Sequence, residues 1–525
     1  MKTLITFLCW SILLLLPAMM SSQQISLSQC FGGNASDFAH DIKPTSDGGF
    51  IMVGYTKSSG SGDVTGFNHG GKDYWIVKFT STGELQWQKN YGGSAHDEAW
   101  GVCETAQHDF VIAGYSYSND GNVTDHIGTS EHSDAWIIRI DMYGQLLWTH
   151  SFGTESDDMA IDITCNLEDH LWIAGRVSAT GQNVENLIGM DDYWLIDCDL
   201  EGNISWENVY GGLKDDILQD MLWTLDNEIY LVGYSYSQSD GPLDGEAYVV
   251  KVNASGDKVW DLDLGTDTQE GLGFAGRMCE TEDGNICVSY RSSNGADEAN
   301  CNSQGAFLVR RISPDGDILN EMCYGGSGTD QPTAVAIDAN NHTWLLGTTY
   351  STDGDVTEPA YTDIASNVWL AALDNDGDVL WNQSMGGTRI ESGCSMLVTN
   401  DNHVVLVGNS TSLNGEVVGQ HDESGHTYDV WLVMLDMQTV KVAEKQTASL
   451  SLYPNPVSAA LIIETSDPDS NGWLTVFNQM GQAVDGIKMN AARVSYDTSS
   501  LATGIYTVQV VSKGVRSEPI RFVKE

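Results

Sequence analysis

The chain is 525 residues long with 41% apolar content, enough to bury at least one large core, so two or more domains are expected and disorder is excluded as its dominant state. Its 73 acidic residues against 24 basic ones give a formal charge of −49, a field that repels phosphate backbones, and with no basic stripe to offset it nucleic acid is excluded as a partner. The excess lies upstream, since residues 447–525 hold seven acids and six bases; solubility of an exported protein is the plainest reading, ahead of cation binding.

Met1-Lys2 forms a minimal basic start, and the apolar run over residues 4–20 is too short for a stop-transfer helix before Ser21-Ser22-Gln23-Gln24. The spacing predicts a cleaved secretory signal over residues 1–22. Cys9 lacks the small residues that precede a lipoprotein cysteine. No other segment is long and apolar enough to cross a membrane, so the mature chain is expected to lack a transmembrane helix.

Self-similarity organises residues 25–440. An aromatic or apolar residue followed by glycine recurs at Phe31, Tyr91, Phe152, Tyr210, Leu264, Tyr324 and Met385, with spacings of 54 to 61. An acid follows each, read here as Asp37, Asp97, Asp157, Asp215, Glu270, Asp330 and Glu391. A second strand ends in Gly54, Gly114, Gly175, Gly233, Gly347 and Gly408, with Ser289 in the fifth copy. A third carries an aromatic column: Trp75, Trp136, Trp194, Tyr248, Phe307, Trp369 and Trp431, in several copies two residues after an acid such as Asp73, Asp134, Asp192 or Asp429. A glycine turn then precedes Trp87, Trp148, Trp206, Trp260 and Trp381 by four residues.

Four short strands per unit predict an all-β fold, a seven-bladed β-propeller over residues 23–445 built from roughly 60-residue repeats. A blade is too thin to bury both faces, so the tryptophans are expected to pack between neighbours. The seventh copy lacks its outer strand, and Ile25–Phe31 matches it; the N-terminal strand is expected to complete blade seven, with residues 439–443 as the alternative.

Acids present in every blade are read as turn caps and backbone partners rather than chemistry. Serine-rich acidic turns offer oxygen ligands; Asp353 with Asp355, and Asp374 with Asp376, are the candidate calcium ligands, although a solvated turn is the preferred reading and no distal glutamate completes a calcium loop. Calcium is the one cofactor in contention. No Ser-His-Asp, Cys-His or phosphate-loop set emerges. The Gly-x-x-x-Trp hairpin is similar to the docking hairpin of quinoprotein dehydrogenases and to the sialidase Asp box, but its spacing departs from both by one residue.

Blade five departs from its siblings. It gathers Arg277, Arg291, Arg310 and Arg311, candidates for an acidic glycan or protein loop, though pairing with Glu280, Glu282 and Asp283 is preferred. Cys279 and Cys287 are the expected disulfide if their hairpin loop has three or five residues, with Cys301–Cys323 a second candidate; the mature chain would hold nine cysteines. Cys30, Cys103 and Cys165 fall on strands and are expected to be buried thiols.

The C-terminal segment alternates apolar residues at Leu461, Ile463, Val476, Tyr506, Val508 and Val510, as a small immunoglobulin-like β-sandwich over 446–525 would. It opens with Leu452-Tyr453-Pro454-Asn455-Pro456, passes through Leu474-Thr475-Val476-Phe477-Asn478 and Gly481-Gln482, and closes on Leu501-Ala502-Thr503-Gly504-Ile505-Tyr506. That ordered trio resembles the C-terminal sorting domain of the type IX secretion system, and the repeat resembles the tandem propellers that precede such domains in bacterial surface proteins. The resemblance implies recognition by the type IX outer-membrane machinery, export to the cell surface or beyond, and loss of the sorting domain. A non-catalytic propeller that binds or adheres to a glycan or protein is the expected function, with a polysaccharide lyase or glycoside hydrolase as the alternative.

Overall fold

The computed structural model describes residues 25–525 except 167–169, 225, 238–244, 266–274, 293–304, 357–365, 400–402, 437–449, 466–471, 478–482, 490–492, 513–514 and 517–519. The expected signal segment, Glu270, Cys301 and residues 439–443 lie outside the described residues. Every regular element among the described residues is a β-strand. The chain divides into two compact units, Met1–Val440 and Lys441–Glu525.

The first unit holds seven four-stranded antiparallel sheets. Their first strands are Asp37–Pro44, Asp97–Glu104, Met159–Cys165, Asp216–Trp223, Ala275–Glu280, Asp330–Ile337 and Glu391–Val398, and each contacts the first strand of the sheet before and after it, the last returning to the first. Seven sheets linked edge to edge in a closed circuit are the blades of a propeller. In blade seven Ile25–Phe31 pairs antiparallel with Asp429–Asp436, so the start of the chain supplies the outer strand as expected.

Apolar burial belongs to the interfaces. Val53, Ile76, Val102, Ile112 and Trp136 form one cluster across blades one and two. Met52, Val77, Val405 and Leu432 form another across blades seven and one, and the other five junctions hold equivalents. The aromatic column is at most 2% exposed, and the indole N–H groups of four of its members reach the outer strand, Trp75 donating to Gln88 at 3.0 Å, Trp194 to Glu207 at 3.1 Å, Trp369 to Asn382 at 3.2 Å and Trp431 to Ser28 at 2.9 Å, while that of Trp136 is buried without a partner. Phe307 brings no such donor, and Oδ1 of Asn320, the residue at the matching outer-strand position, is buried without a partner.

Outer-strand tryptophans cross to the next blade. Trp148 Nε1 donates to Leu200 O at 2.9 Å and Trp260 Nε1 to Pro314 O at 3.0 Å, both in the following blade's hairpin turn. Tyr210 O–H likewise reaches Gly256 O at 2.6 Å. The turn glycines explain themselves here: Gly256 has φ +79°, and a Cβ would lie 2.7 Å from Trp206. The second-strand glycines answer to the inner strand, which carries a bulge in each blade; a Cβ on Gly54 would sit 1.9 Å from Phe38 O. In blade five the shift, between Ala275 and Met278, is likewise one residue, and Ser289 stands where the siblings have glycine.

In every blade but the fifth, whose Glu270 lies outside the described residues, one acid ties the turn to the sheet. Asp37 accepts from Gly33 N at 2.7 Å and Ser58 Oγ at 2.8 Å, Asp97 from Gly93 N at 2.8 Å and Ser118 Oγ at 3.0 Å, and Asp330 from Gly326 N at 2.9 Å and Ser351 Oγ at 2.8 Å. In blades three and four the role falls to Asp158 and Asp216, not to Asp157 and Asp215. The carboxylate must lie four residues past the amide it caps. The acids before the aromatic column cap the long loops: Asp73 accepts from His69 N at 2.9 Å, and Asp192 from Ile188 N and Gly189 N, both at 2.8 Å.

The second unit is a β-sandwich. Leu450–Tyr453, Ala460–Thr465 and Arg493–Asp497 form one sheet; Gly472–Phe477, Ala483–Met489, Gly504–Ser512, Val515–Arg516 and Ile520–Lys524 form the other. Leu461, Ile463, Leu474, Val476, Val508 and Phe522 fill the space between them.

Removing residues 25–30 should lower the melting midpoint by on the order of 5 °C or more, since it exposes the edge of Asp429–Asp436; an unchanged midpoint in calorimetry contradicts this closure. Burial pushes the carboxyls of Asp37, Asp97, Asp158 and Asp192 up to about 6 despite their hydrogen bonds. Groups that hold protons more tightly when folded stabilise most below the ordinary carboxylate range and lose that contribution as pH climbs through about 6. Glu98 and Asp47, held near 2, titrate below this window. The midpoint should therefore fall by several degrees between about pH 5 and about pH 7.5, and a rise over that range contradicts the assignment.

Candidate functional site

The bulge on each inner strand turns the following residues toward the propeller axis, and there the blades stop being alike. Blade one presents Asp41 and Lys43, blade three Asp162, blade four Asp220 and blade five Arg277. Lys43 Nζ lies 3.5 Å from Asp41 Oδ2, and Arg277 Nη1 donates to Asp220 Oδ1 at 3.0 Å. The carboxylates also stitch neighbouring inner strands: Met278 N donates to Asp220 at 2.6 Å, Met221 N to Asp162 at 3.3 Å, and Ser395 Oγ to Asp41 at 2.9 Å.

Enclosure by the ring sets the electrostatics. Burial pushes the Asp162 carboxyl up to about 7, with Lys43 opposing and the Asp220 charge adding to the rise. Asp41 holds the Lys43 ammonium above its ordinary range. Lys43 nonetheless keeps 44% of its side chain accessible, because the channel opens at the short-hairpin end.

At that end lies a cavity of about 580 Å³, lined only by blades one to four. Lys43, Ser46, Asp162 and Thr164 supply polar groups and Trp223 an aromatic wall. Trp223 is half-buried against Trp172, the ring centres 5.4 Å apart. A polar floor with one charged pair and an indole at its side suits a hydroxyl-rich ligand with an apolar face.

The four blade-five arginines do not converge. Arg277 faces the axis. Arg310 is 4% exposed, paired with Glu321, bonded to Leu264 O and set 5.6 Å over the Tyr290 ring. Arg311 lies 3.4 Å from Asp283 in a shallow cavity of about 400 Å³ with Glu282, Asn341 and Asn375. Arg291 borders Gly305, its Nε buried and unpartnered. Of the four, Arg311 alone lines one of the two cavities described.

Asp353 accepts Ser327 N at 2.6 Å, and Asp355 accepts Gly325 N at 3.0 Å. Asp374 caps its own turn, accepting Asp376 N at 3.0 Å and Asp378 N at 2.8 Å, while Asp376 is exposed. Among the described residues no group of three or more His, Cys, Asp or Glu is arranged to hold a metal. Cys279 and Cys287 are register partners across the Thr281–Asn285 turn, both as thiols, and Cys323 is disulfide-bonded.

Sequence reading missed the axial set. Asp41, Asp162 and Asp220 are unremarkable strand acids until the bulge is placed, and the one signal was that Lys43 and Arg277 are the two Lys or Arg residues on the seven first strands.

No curated protein matches the sequence. Among solved structures the chain is similar to PorZ, an essential bacterial surface component of the type IX secretion system of Porphyromonas gingivalis, at 11% identity and TM-score 0.38, covering 96% of this chain and 60% of that one. It is also similar to the extracellular domain of a putative hybrid two-component system from B. thetaiotaomicron, at 14% identity and TM-score 0.43, again covering 96% and 60%. A Dyadobacter fermentans protein of unknown function matches at 10% identity and TM-score 0.42, covering 79% of this chain and 98% of that one. The chain thus spans about three fifths of the first two. Residues 451–524 match the family model of the secretion system C-terminal sorting domain. They are a type IX sorting domain, and the protein is exported to the cell surface or the extracellular space.

Proposed function

We propose that the exported propeller is a non-catalytic adhesion module that binds a glycan at the short-hairpin mouth of its axial channel. The observation that carries this is the asymmetry of the axis. Seven blades alike at their interfaces diverge where Lys43, Asp162 and Trp223 meet the cavity. Structural repeats need no such divergence, whereas a ligand on the axis does. Trp223 offers a stacking face for a pyranose, and Ser46, Thr164 and Asp162 offer hydroxyl partners. Charge-neutral or amino-bearing sugars suit it better than polyanions, given the surrounding acidity.

One observation favours the enzymatic alternative: a carboxyl held near 7 is what a general acid requires, and Asp162 is such a group. Its hydrogen bonds to backbone amides, and the engagement of the other lining carboxylate, Glu104, by Ser46 and His108, favour binding.

On a glycan array the full exported protein should retain a subset of neutral or amino glycans, and Trp223→Ala should weaken retention about tenfold, the worth of one aromatic contact. Retention that survives this substitution refutes the site, and shortened oligosaccharides abolished by Asp162→Asn establish the enzyme instead. Deleting residues 451–524 should leave the propeller inside the outer membrane, measured by surface proteolysis of intact cells; undiminished surface display contradicts the role of the sorting domain.

A further inference from the structure

The rim of the axial cavity holds two thiols from different blades. Cys103 ends near the tip of inner strand Asp97–Glu104 in blade two, and Cys165 closes Met159–Cys165 in blade three. Both line the cavity. Cys165 Sγ donates to Glu104 O at 3.0 Å, the carbonyl next to Cys103, and burial together with the neighbouring Cys165 thiol raises the Cys103 thiol well above its ordinary range. Neither pairing of adjacent strands nor blade symmetry demands this, since the corresponding residues of blade one, Lys43 and Pro44, carry no sulfur.

The rest of the cysteine set sharpens the point. Cys323 is already disulfide-bonded, and Cys279 faces Cys287 across one hairpin. Cys30 and Cys198 are fully buried on the outer strand of blade seven and the third strand of blade three. Cys394 sits on the inner strand of blade seven, where Asn409 Nδ2 donates to its sulfur at 3.0 Å. These three lie on separate strands, each in its own surroundings. Cys103 and Cys165 are the remaining pair brought together from distant positions in the sequence.

We propose that Cys103 and Cys165 are an inter-blade redox site, joined as a disulfide in the exported protein and thereby stapling blade two to blade three at the cavity rim. The oxidant is the disulfide of a thiol-oxidising protein in the exported compartment. Cys165, the more exposed and cavity-facing thiol, loses its proton and attacks that disulfide, giving a mixed disulfide and releasing one oxidase thiolate. Cys103, 8% exposed, then loses its proton and displaces the second oxidase sulfur. One S–S bond forms and one breaks. The two electrons leave with the oxidase as its dithiol, which takes up the two protons. The closed loop spans the three outer strands of blade two and the inner strand of blade three, so the bond removes entropy from the unfolded chain more than it adds contacts to the folded one.

The test maps thiols in full-length protein collected from the cell surface or medium, alkylated under denaturing conditions without reductant and digested. The expected result is a linked peptide pair containing Cys103 and Cys165, two hydrogens lighter than the separate peptides. Recovery of both residues singly alkylated, or linked to other cysteines, overturns the proposal. Independently, reductant should lower the melting midpoint of the wild type, and in Cys103→Ser/Cys165→Ser that shift should shrink by about 5 °C. A reductant shift equal in the two proteins also overturns it, and should the variant fail to fold, the peptide map decides alone.

Discussion

A four-stranded sheet has two faces and no interior, and everything else in the propeller follows from the need to cover both. Each apolar cluster is made from the facing sides of two blades, so no blade has a core of its own. Indoles and tyrosine hydroxyls that cross from one blade to the turn of the next add direction to this contact. At the receiving turn glycine leaves room for them, most tightly at Gly256, where a Cβ would lie 2.7 Å from Trp206. Closure of the circuit is then the condition for burying the last interface, between blades seven and one.

Polar groups obey the same economy. Turn carboxylates such as Asp97 are taken out of water and held by amides and hydroxyls, which keeps the connection between blades rigid at the cost of raised proton affinity. Rigid junctions leave the axis as the place where sequence is free to vary. There the chain departs from repetition, placing Lys43, Asp162, Asp220 and Arg277 on four blades and an open cavity beside them.

Much of the frame was legible in the residues. The aromatic column, the second-strand glycines and the Gly-x-x-x-Trp turns each report a local steric demand that repeats with the blade. The acid column was legible too, but only by strict counting: six residues separate the aromatic from the carboxylate at Phe152–Asp158 as at Tyr91–Asp97, and a looser window selected the neighbours in blades three and four. The arginine group misled because proximity in sequence is not proximity in a sheet. Arg310 and Arg311 are adjacent and point to opposite faces, and Arg277 lies on another strand altogether. Cys103 with Cys165, and the axial charges, are juxtaposed by ring geometry between blades and have no local pattern to betray them.

The outer strand of blade seven joins the first described residues, Ile25–Phe31, to Asp429–Asp436 some four hundred positions later. Such a seam is the longest-range pairing in the ring, and loop-closure entropy makes it late to form. Until it forms, the fold is an open arc with two unpaired edges and one bare interface. The ring thus acquires its final rigidity only once residues 429–436 are available to pair with the first described strand. The same seam makes the amino-terminal segment the latch of the torus: a protease that trims a few residues there reaches the stability of the whole ring without touching any other blade.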